Sequence, residues 1–363
     1  MDTNKLMAEI IRRIKDSNIR PLKIMEVCGS HTDIIGKLGL RDILYPKVKF
    51  ISGPGCPVCV TDESYINAAL ELLNKKNVLI TTFGDLVRVK GSSNSLMDKK
   101  IDHNNIKIVY SPLEAIKMTK ENKSLEVVFL AVGFETTAPL IALSVKKAKH
   151  EKIENISFLL GLKTMKPILE HIFKDKNHNI DGLICPGHVA SVKGANYFNF
   201  IRDTYNISAV ISGFQPLDIL SSIYFIINTN IKNEKTFMNL YKTCVKEEGN
   251  KIANELINEV FSPEDSNWRG IGLIKNSALG LKHIYSDYDA LKKFNIKIEQ
   301  HKKSSSCICG EIILGKKSPK ECTLFSKECT PRDSKGPCMV SKEGACAIFY
   351  KYNKFKILKN IKL

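Results

Sequence analysis

Cysteines are the residues here whose chemistry matters first: the chain of 363 residues holds eleven, and they are unevenly placed. Cys307, Cys309, Cys322, Cys329, Cys338 and Cys346 share one short stretch with Gly310, Gly315, Pro319, Pro331, Gly336, Pro337 and Gly344. Such a segment has little apolar material of its own, so thiolates converging on a metal centre would supply folding energy that packing cannot. The gaps between successive thiols are 1, 12, 6, 8 and 7 residues. Tetrahedral zinc sites usually use close C-x2-C pairs, which this spacing lacks. The expected occupant is therefore an iron-sulfur cluster, with structural zinc or plain buried thiols as alternatives. Four ligands complete a [4Fe-4S] cube or a zinc site, which leaves two thiols over.

Two further groups sit nearer the amino terminus. Cys56-Pro57-Val58-Cys59 follows an apolar run and a Gly-Pro-Gly turn and is expected to open a helix through Asp62 and Glu63. A thiol at a helix amino-terminus is acidified, and the C-x-x-C spacing allows either a reversible disulfide or chelation of one ion. Cys28 and His31 offer a soft thiolate and an imidazole suited to iron or zinc, or else a buried cysteine beside a hydrogen-bonded histidine. Cys185 and Cys244 read as core thiols, Cys185 in a Pro186-Gly187-His188 turn. Gly133-Phe134-Glu135-Thr136-Thr137 reads as a strand-to-helix turn suited to an anion, with Glu135 as a candidate acid or base. It lacks the Walker glycine-lysine pattern, so nucleotide binding has little support.

The elements that must position these residues follow from periodicity. Leu6, Ile10 and Ile14 predict an amphipathic helix over 5–15, behind Asp2, Thr3 and Asn4 as caps. Apolar runs at 24–27, 48–52, 78–82, 108–110, 127–132, 156–160, 183–184 and 209–212 alternate with helical stretches, which argues for parallel sheets with helical crossovers. The reactive residues crowd the carboxyl ends of those runs, where ligands bind in open α/β sheets. The reading is two small doubly wound α/β domains facing across a cleft, 1–120 and 121–230. A mostly helical or irregular cysteine-rich domain, 231–363, follows. Within it Met238, Tyr241, Val245, Ile252, Leu256 and Val260 predict long helices, ended by Ser262-Pro263. The tail from Lys354 to Lys359 is expected to be a surface strand or helix with a basic face.

Composition narrows the classes. Hydrophobic residues make up 43% and charged residues 26%, an ordinary globular balance. The start Met1-Asp2-Thr3-Asn4-Lys5 carries acid where a signal peptide carries base, and no apolar run approaches a membrane span of about 18 residues. A cytoplasmic protein is expected, in a reducing compartment where thiols bind metal or do redox work. The net charge of +17 is mostly scattered lysine. With no helix-turn-helix pattern, aromatic ribonucleoprotein motif or arginine cluster, nucleic acid is not the expected partner.

Several motifs together resemble one family. They are Glu26 to Thr32 as EVCGSHT, Gly53 to Cys59 as GPGCPVC, Gly133 to Thr137 as GFETT, Pro186-Gly187-His188-Val189, and Gly336 to Ser341 with Glu343 to Ala347. In this order, over nearly the whole chain, they resemble the hydrogenase maturation family HypD. The resemblance implies a scaffold rather than a turnover enzyme, working with the small chaperone HypC and a HypE-type cyanide donor. On it an iron ion would receive one carbon monoxide and two cyanides, as Fe(CN)2CO, before reaching the large subunit of a [NiFe]-hydrogenase. It implies Cys28 as an iron ligand, Cys56 and Cys59 in the same cleft, and assistance from His31 and Glu135. By likeness to ferredoxin-thioredoxin reductase it assigns Cys307, Cys322, Cys329 and Cys346 to the [4Fe-4S] cluster and Cys309 with Cys338 to a redox pair relaying electrons towards Cys56 and Cys59. An iron-sulfur-dependent thiol-disulfide reductase is the rival reading, and a zinc-stapled interaction module the third. The chain departs from many relatives in carrying Asp33 where they have a second histidine.

Overall fold

The computed structural model describes residues 2–100, 105–298 and 306–353. Nine short strands form two parallel sheets: β1 (Leu22–Glu26), β2 (Val48–Ser52), β3 (Val78–Thr82), β4 (Ile106–Ile108), β5 (Glu126–Gly133), β6 (Ile156–Leu162), β7 (Gly182–Pro186), β8 (Ser208–Ser212) and β9 (Phe237–Asn239). One sheet has the order β2-β1-β7-β8-β9 and the other β4-β3-β5-β6. Both start in the middle, run to one edge and then cross to the other side, so each has a switch in winding, at β1/β7 and at β3/β5.

The near-continuous apolar runs are explained by cover on both faces. In the five-stranded sheet Leu22, Ile24, Ile184 and Val210 face one core with the helices Thr3–Asp16 and Pro216–Ile231, while Met25, Val27, Leu183 and Cys185 face another. In the four-stranded sheet Val127, Phe129 and Ala131 alternate in the same way with Val128, Leu130 and Val132. The first helix begins where expected: Asp2 accepts a hydrogen bond from the Asn4 amide at 3.1 Å, and Ile10 and Ile14 are buried. No helix among the described residues is long and apolar enough to cross a membrane.

The sheets do not divide at residue 120. β3 and β4 precede that point yet pair with β5 and β6, and β1 and β2 pair with strands beyond 180, so the four-stranded unit is inserted into the five-stranded one. The long helices expected after 234 reduce to Lys251–Val260. Before it the chain forms edge strand β9 and turns bonded to residues 195 and 196, and Gly249 takes a left-handed φ of 74° that ends any helix running through it. That helix ends just before Ser262-Pro263, as expected, and an antiparallel hairpin follows, β10 (Phe261–Trp268) with β11 (Gly272–Leu281). The buried Lys163 holds it, donating from Nζ to Ser266 Oγ at 2.7 Å and to the Asn267 carbonyl at 2.8 Å. The basic tail from Lys354 lies outside the described residues.

Candidate functional site

In doubly wound sheets the loops at a winding switch splay apart and open a crevice at the strands' carboxyl ends. Cys28 follows β1 and Gly187-His188 follow β7, so both stand at the switch of the five-stranded sheet. Cys28 is the N-cap of helix Gly29–Lys37. It is buried, and burial raises its thiol to about 11 although the His31 and Ser30 amides pull the other way. His31 lies in the same helix, fully buried. Its Nε2 is 3.1 Å from the Gly213 carbonyl, and its ring stacks on Phe214 at 4.8 Å. Donation from Nε2 leaves the lone pair on Nδ1, which is buried with no hydrogen-bond partner. Phe214 stacks in turn on His188 at 3.9 Å.

Cys56 caps the short helix Pro57–Val60, and the chain then breaks at Thr61 before the helix Glu63–Leu73, which Asp62 caps. The continuous helix expected from the CPVC motif is thus two helices. Cys56 and Cys59 are joined in a disulfide. Both border a small cavity with Gly29, Ser52, Cys338 and Glu343, so the end of β2, the Cys28 helix and the carboxy-terminal region meet there. Cys59 Sγ is 4.0 Å from the Pro337 carbonyl, one residue from Cys338.

The six carboxy-terminal thiols gather around loops and short helices. Cys309 opens helix Cys309–Ile313 and Cys338 lies in helix Pro337–Val340. Cys307, Cys322, Cys329, Cys338 and Cys346 line a second cavity whose other walls include Ile312, Phe325 and Met339, with no charged side chain. Cys309 neighbours both Cys307 and Cys338. Interaction with Cys307 lowers its thiol, but interaction with Cys338 and burial outweigh it, leaving Cys309 at about 12. Burial first, then the neighbouring thiols, push Cys346 well up. Among the described residues no three His, Cys, Asp or Glu side chains close on one point as ligands of a single ion must.

The comparison with known proteins is decided by a sequence model of the family HypD, described as the hydrogenase formation hypA family, which matches residues 3–353. The chain belongs to the HypD family. It is 40% identical over 336 residues to a Methanocaldococcus jannaschii protein named for hydrogenase expression/formation, covering 93% of each chain. It is 39% identical over 334 residues to the hydrogenase maturation factor HypD of Escherichia coli, covering 92% of this chain and 90% of the relative. The factor of the same name from Rhodobacter capsulatus is 36% identical over 355 residues, covering 96% and 94%.

Within this HypD-family chain the remaining candidates stand apart from the thiol cavities. Glu135 is buried: its Oε1 accepts from the Met165 amide and the Tyr197 hydroxyl, both at 2.8 Å, and Oε2 has no partner. Burial raises its carboxyl. It does not border the Cys56–Cys59 cavity. Asp33 accepts from Lys351 Nζ and the Tyr352 hydroxyl, both at 3.0 Å, which fastens the Cys28 helix to Ala345–Asn353, the helix carrying Cys346. Cys185 is a core thiol as expected, whereas Cys244 is exposed, in the turns that replaced the expected helix. Sequence reasoning missed the hairpin tip. Trp268 is fully buried, and Arg269 donates to the Val60 carbonyl from its amide, and to Glu63 and the Lys90 carbonyl from its guanidinium. The single tryptophan followed by arginine was the available signal, without a spacing that would have tied it to the CPVC loop.

Proposed function

We propose that the chain is a scaffold for [NiFe]-hydrogenase maturation. In this reading an iron ion, the cargo, is held at Cys28, shared with a thiolate of a HypC-type chaperone in the cytoplasm. There it receives one carbon monoxide and two cyanides, the cyanides from a HypE-type donor, on its way to the hydrogenase large subunit. Low-spin ferrous iron with such ligands favours soft thiolate donors, and Cys28 at the winding switch is one. The observation that carries the redox half of the proposal is that Cys338 borders both thiol cavities, the one with Cys56 and Cys59 and the one with Cys307, Cys322, Cys329 and Cys346.

Cys309 and Cys338, which neighbour one another, act as a dithiol towards Cys56–Cys59. The Cys338 thiolate attacks Cys59 Sγ, the Cys56–Cys59 bond breaks, and Cys56 leaves as thiolate and takes a proton. Cys309 then attacks Cys338 in the mixed disulfide, forming Cys309–Cys338 and releasing Cys59. Two electrons and two protons reach the cleft pair. Cys307, Cys322, Cys329 and Cys346 would hold a [4Fe-4S] cluster, which when bound supplies single electrons beside this pair. Thiols spread round an uncharged cavity suit a polynuclear cluster better than one tetrahedral zinc, whose four donors must close within about 2.3 Å of a single point. A turnover reductase for protein disulfides fits less well, because Cys56 is 5% and Cys59 2% exposed.

Anaerobic iron, zinc and acid-labile sulfide analysis with infrared spectroscopy tests the proposal. About four sulfides per chain, iron in excess of that number, and bands in the cyanide and carbonyl stretching region are expected. Zinc without sulfide would overturn the redox half, and iron-sulfur protein isolated with its chaperone yet lacking those bands would overturn the scaffold.

A further inference from the structure

A third cavity adjoins the second, sharing Cys307 and Gly336 with it. It is a small, open cleft of about 50 Å³. Cys307 and Cys309 border it, Arg269 and Lys335 form one part of its wall and Asp62 and Glu63 another. Cys309 borders neither of the other two cavities, whereas Cys338 borders both of those and not this one. The two members of the thiol pair thus border different cavities. Cys338 faces the Cys56–Cys59 disulfide, and Cys309 faces the cleft.

We infer that this cleft binds a small zwitterionic thiol, of the amino-acid type, which reduces the Cys309–Cys338 disulfide directly; the inference rests on the reading of those two cysteines as a redox pair. A folded protein cannot reach Cys309, which is 5% exposed in the wall of the cleft, but a small thiol can. The walls select its charges. Arg269, 6% exposed and fixed by Glu63 at 3.1 Å and the Lys90 carbonyl at 3.0 Å, places a positive charge beside the thiols that favours an incoming thiolate. Lys335 adds a second cation. Its ion pair with Asp333, 2.7 Å long, is on the surface and gives way readily to a ligand carboxylate. Asp62 and Glu63 offer acceptors to an ammonium group.

The chemistry balances without another reagent. The thiolate attacks Cys309 Sγ, the bond to Cys338 breaks, and Cys338 leaves as thiolate and takes a proton. A second molecule of the small thiol attacks the first one's sulfur in the adduct, which frees Cys309 as a thiol and releases the symmetrical small disulfide. Two small thiols are oxidised and one protein disulfide is reduced, so the cleft pair can be recharged from a soluble pool.

The test uses the full chain with its metals, oxidised mildly with diamide under anaerobic conditions and then mixed with L-cysteine, cysteamine, 3-mercaptopropionate or dithiothreitol. Acid quenching and peptide mass spectrometry follow each thiol. The first adduct of L-cysteine is expected on Cys309. After correction for thiolate fraction, L-cysteine should react at least fivefold faster than cysteamine, which lacks the carboxylate, and than 3-mercaptopropionate, which lacks the amine. Lys335→Gln should remove the preference over cysteamine while slowing dithiothreitol, which carries no carboxylate, far less. First adducts on Cys56, Cys59 or Cys322, or equal rates for the three monothiols, overturn the inference. If diamide yields no Cys309–Cys338 disulfide while Cys56–Cys59 still forms, the redox-pair reading itself fails and this inference falls with it.

Discussion

Burial governs Cys28 more than its place at a helix start does. The helix amides favour thiolate, yet with 7% exposure the thiol is held at about 11, so it stays protonated at neutral pH, and in the proposed function iron must displace that proton. Cys28→Ala should therefore abolish iron bound in the cleft, by infrared and by iron beyond the cluster, and leave sulfide content unchanged; loss of sulfide would show that the two metal sites are not separate. His31 carries a pH dependence of defined sign. Burial, then the nearby His188, hold it at about 4 against an ordinary 6.5, so between those values the unfolded chain binds a proton that the folded one refuses. Stability contributed by neutral His31 is full above 6.5 and is lost as pH falls towards 4, by about 3 kcal/mol in total. His31→Gln should flatten the urea-unfolding profile across that window. An unchanged slope would mean that His31 is solvated.

At the scale of elements, the strands were legible because each is a short apolar run ending in glycine, proline or a reactive residue, and all eight expected runs became strands within a few residues. The Cys28, CPVC and GFETT turns were legible for the same reason. The region after 234 was not, since Met238, Tyr241 and Val245 keep a helical period while the backbone at Gly249 forbids the helix, and local spacing cannot see a bond made to residues 195 and 196. Nor does spacing reveal that the β10–β11 tip lies between the CPVC loop and the Cys309 helix. Gly310 marks that contact: a Cβ there would overlap the Gly270 carbonyl, a backbone group with nowhere to move cheaply. Gly310→Ala should cost about 1–3 kcal/mol in urea unfolding. It should also raise the alkylation rate of Cys309 by pushing its helix off the hairpin. Ordinary stability and unchanged alkylation would show the contact to be loose.

Across the whole molecule the carboxy-terminal region acts as a bridge between the two sheets. Asp33 ties it to the Cys28 helix, and on the other side Ser341 Oγ donates to Asp85 at 3.1 Å and Arg88 donates to the Val340 carbonyl at 3.0 Å, both beyond β3. Val340 and Ser341 immediately follow Met339, so the helix carrying Cys338 is clamped against both units with its thiol at the meeting point of two cavities. An electron route through one atom makes a sharp demand on that atom. Cys338→Ser keeps size and a hydrogen-bonding group for Cys309, so the fold and the iron and sulfide content should match the parent. Reduction of Cys56–Cys59 by dithionite, followed by alkylation and mass spectrometry, should slow by at least a hundredfold, because a hydroxyl cannot form the mixed disulfide. Cys309→Ser should differ in kind: Cys338 can still attack, so a Cys338–Cys59 mixed disulfide should accumulate without resolving. If Cys338→Ser instead loses cluster iron and sulfide, Cys338 is a ligand, and one of Cys307, Cys322, Cys329 or Cys346 must take its place in the redox pair.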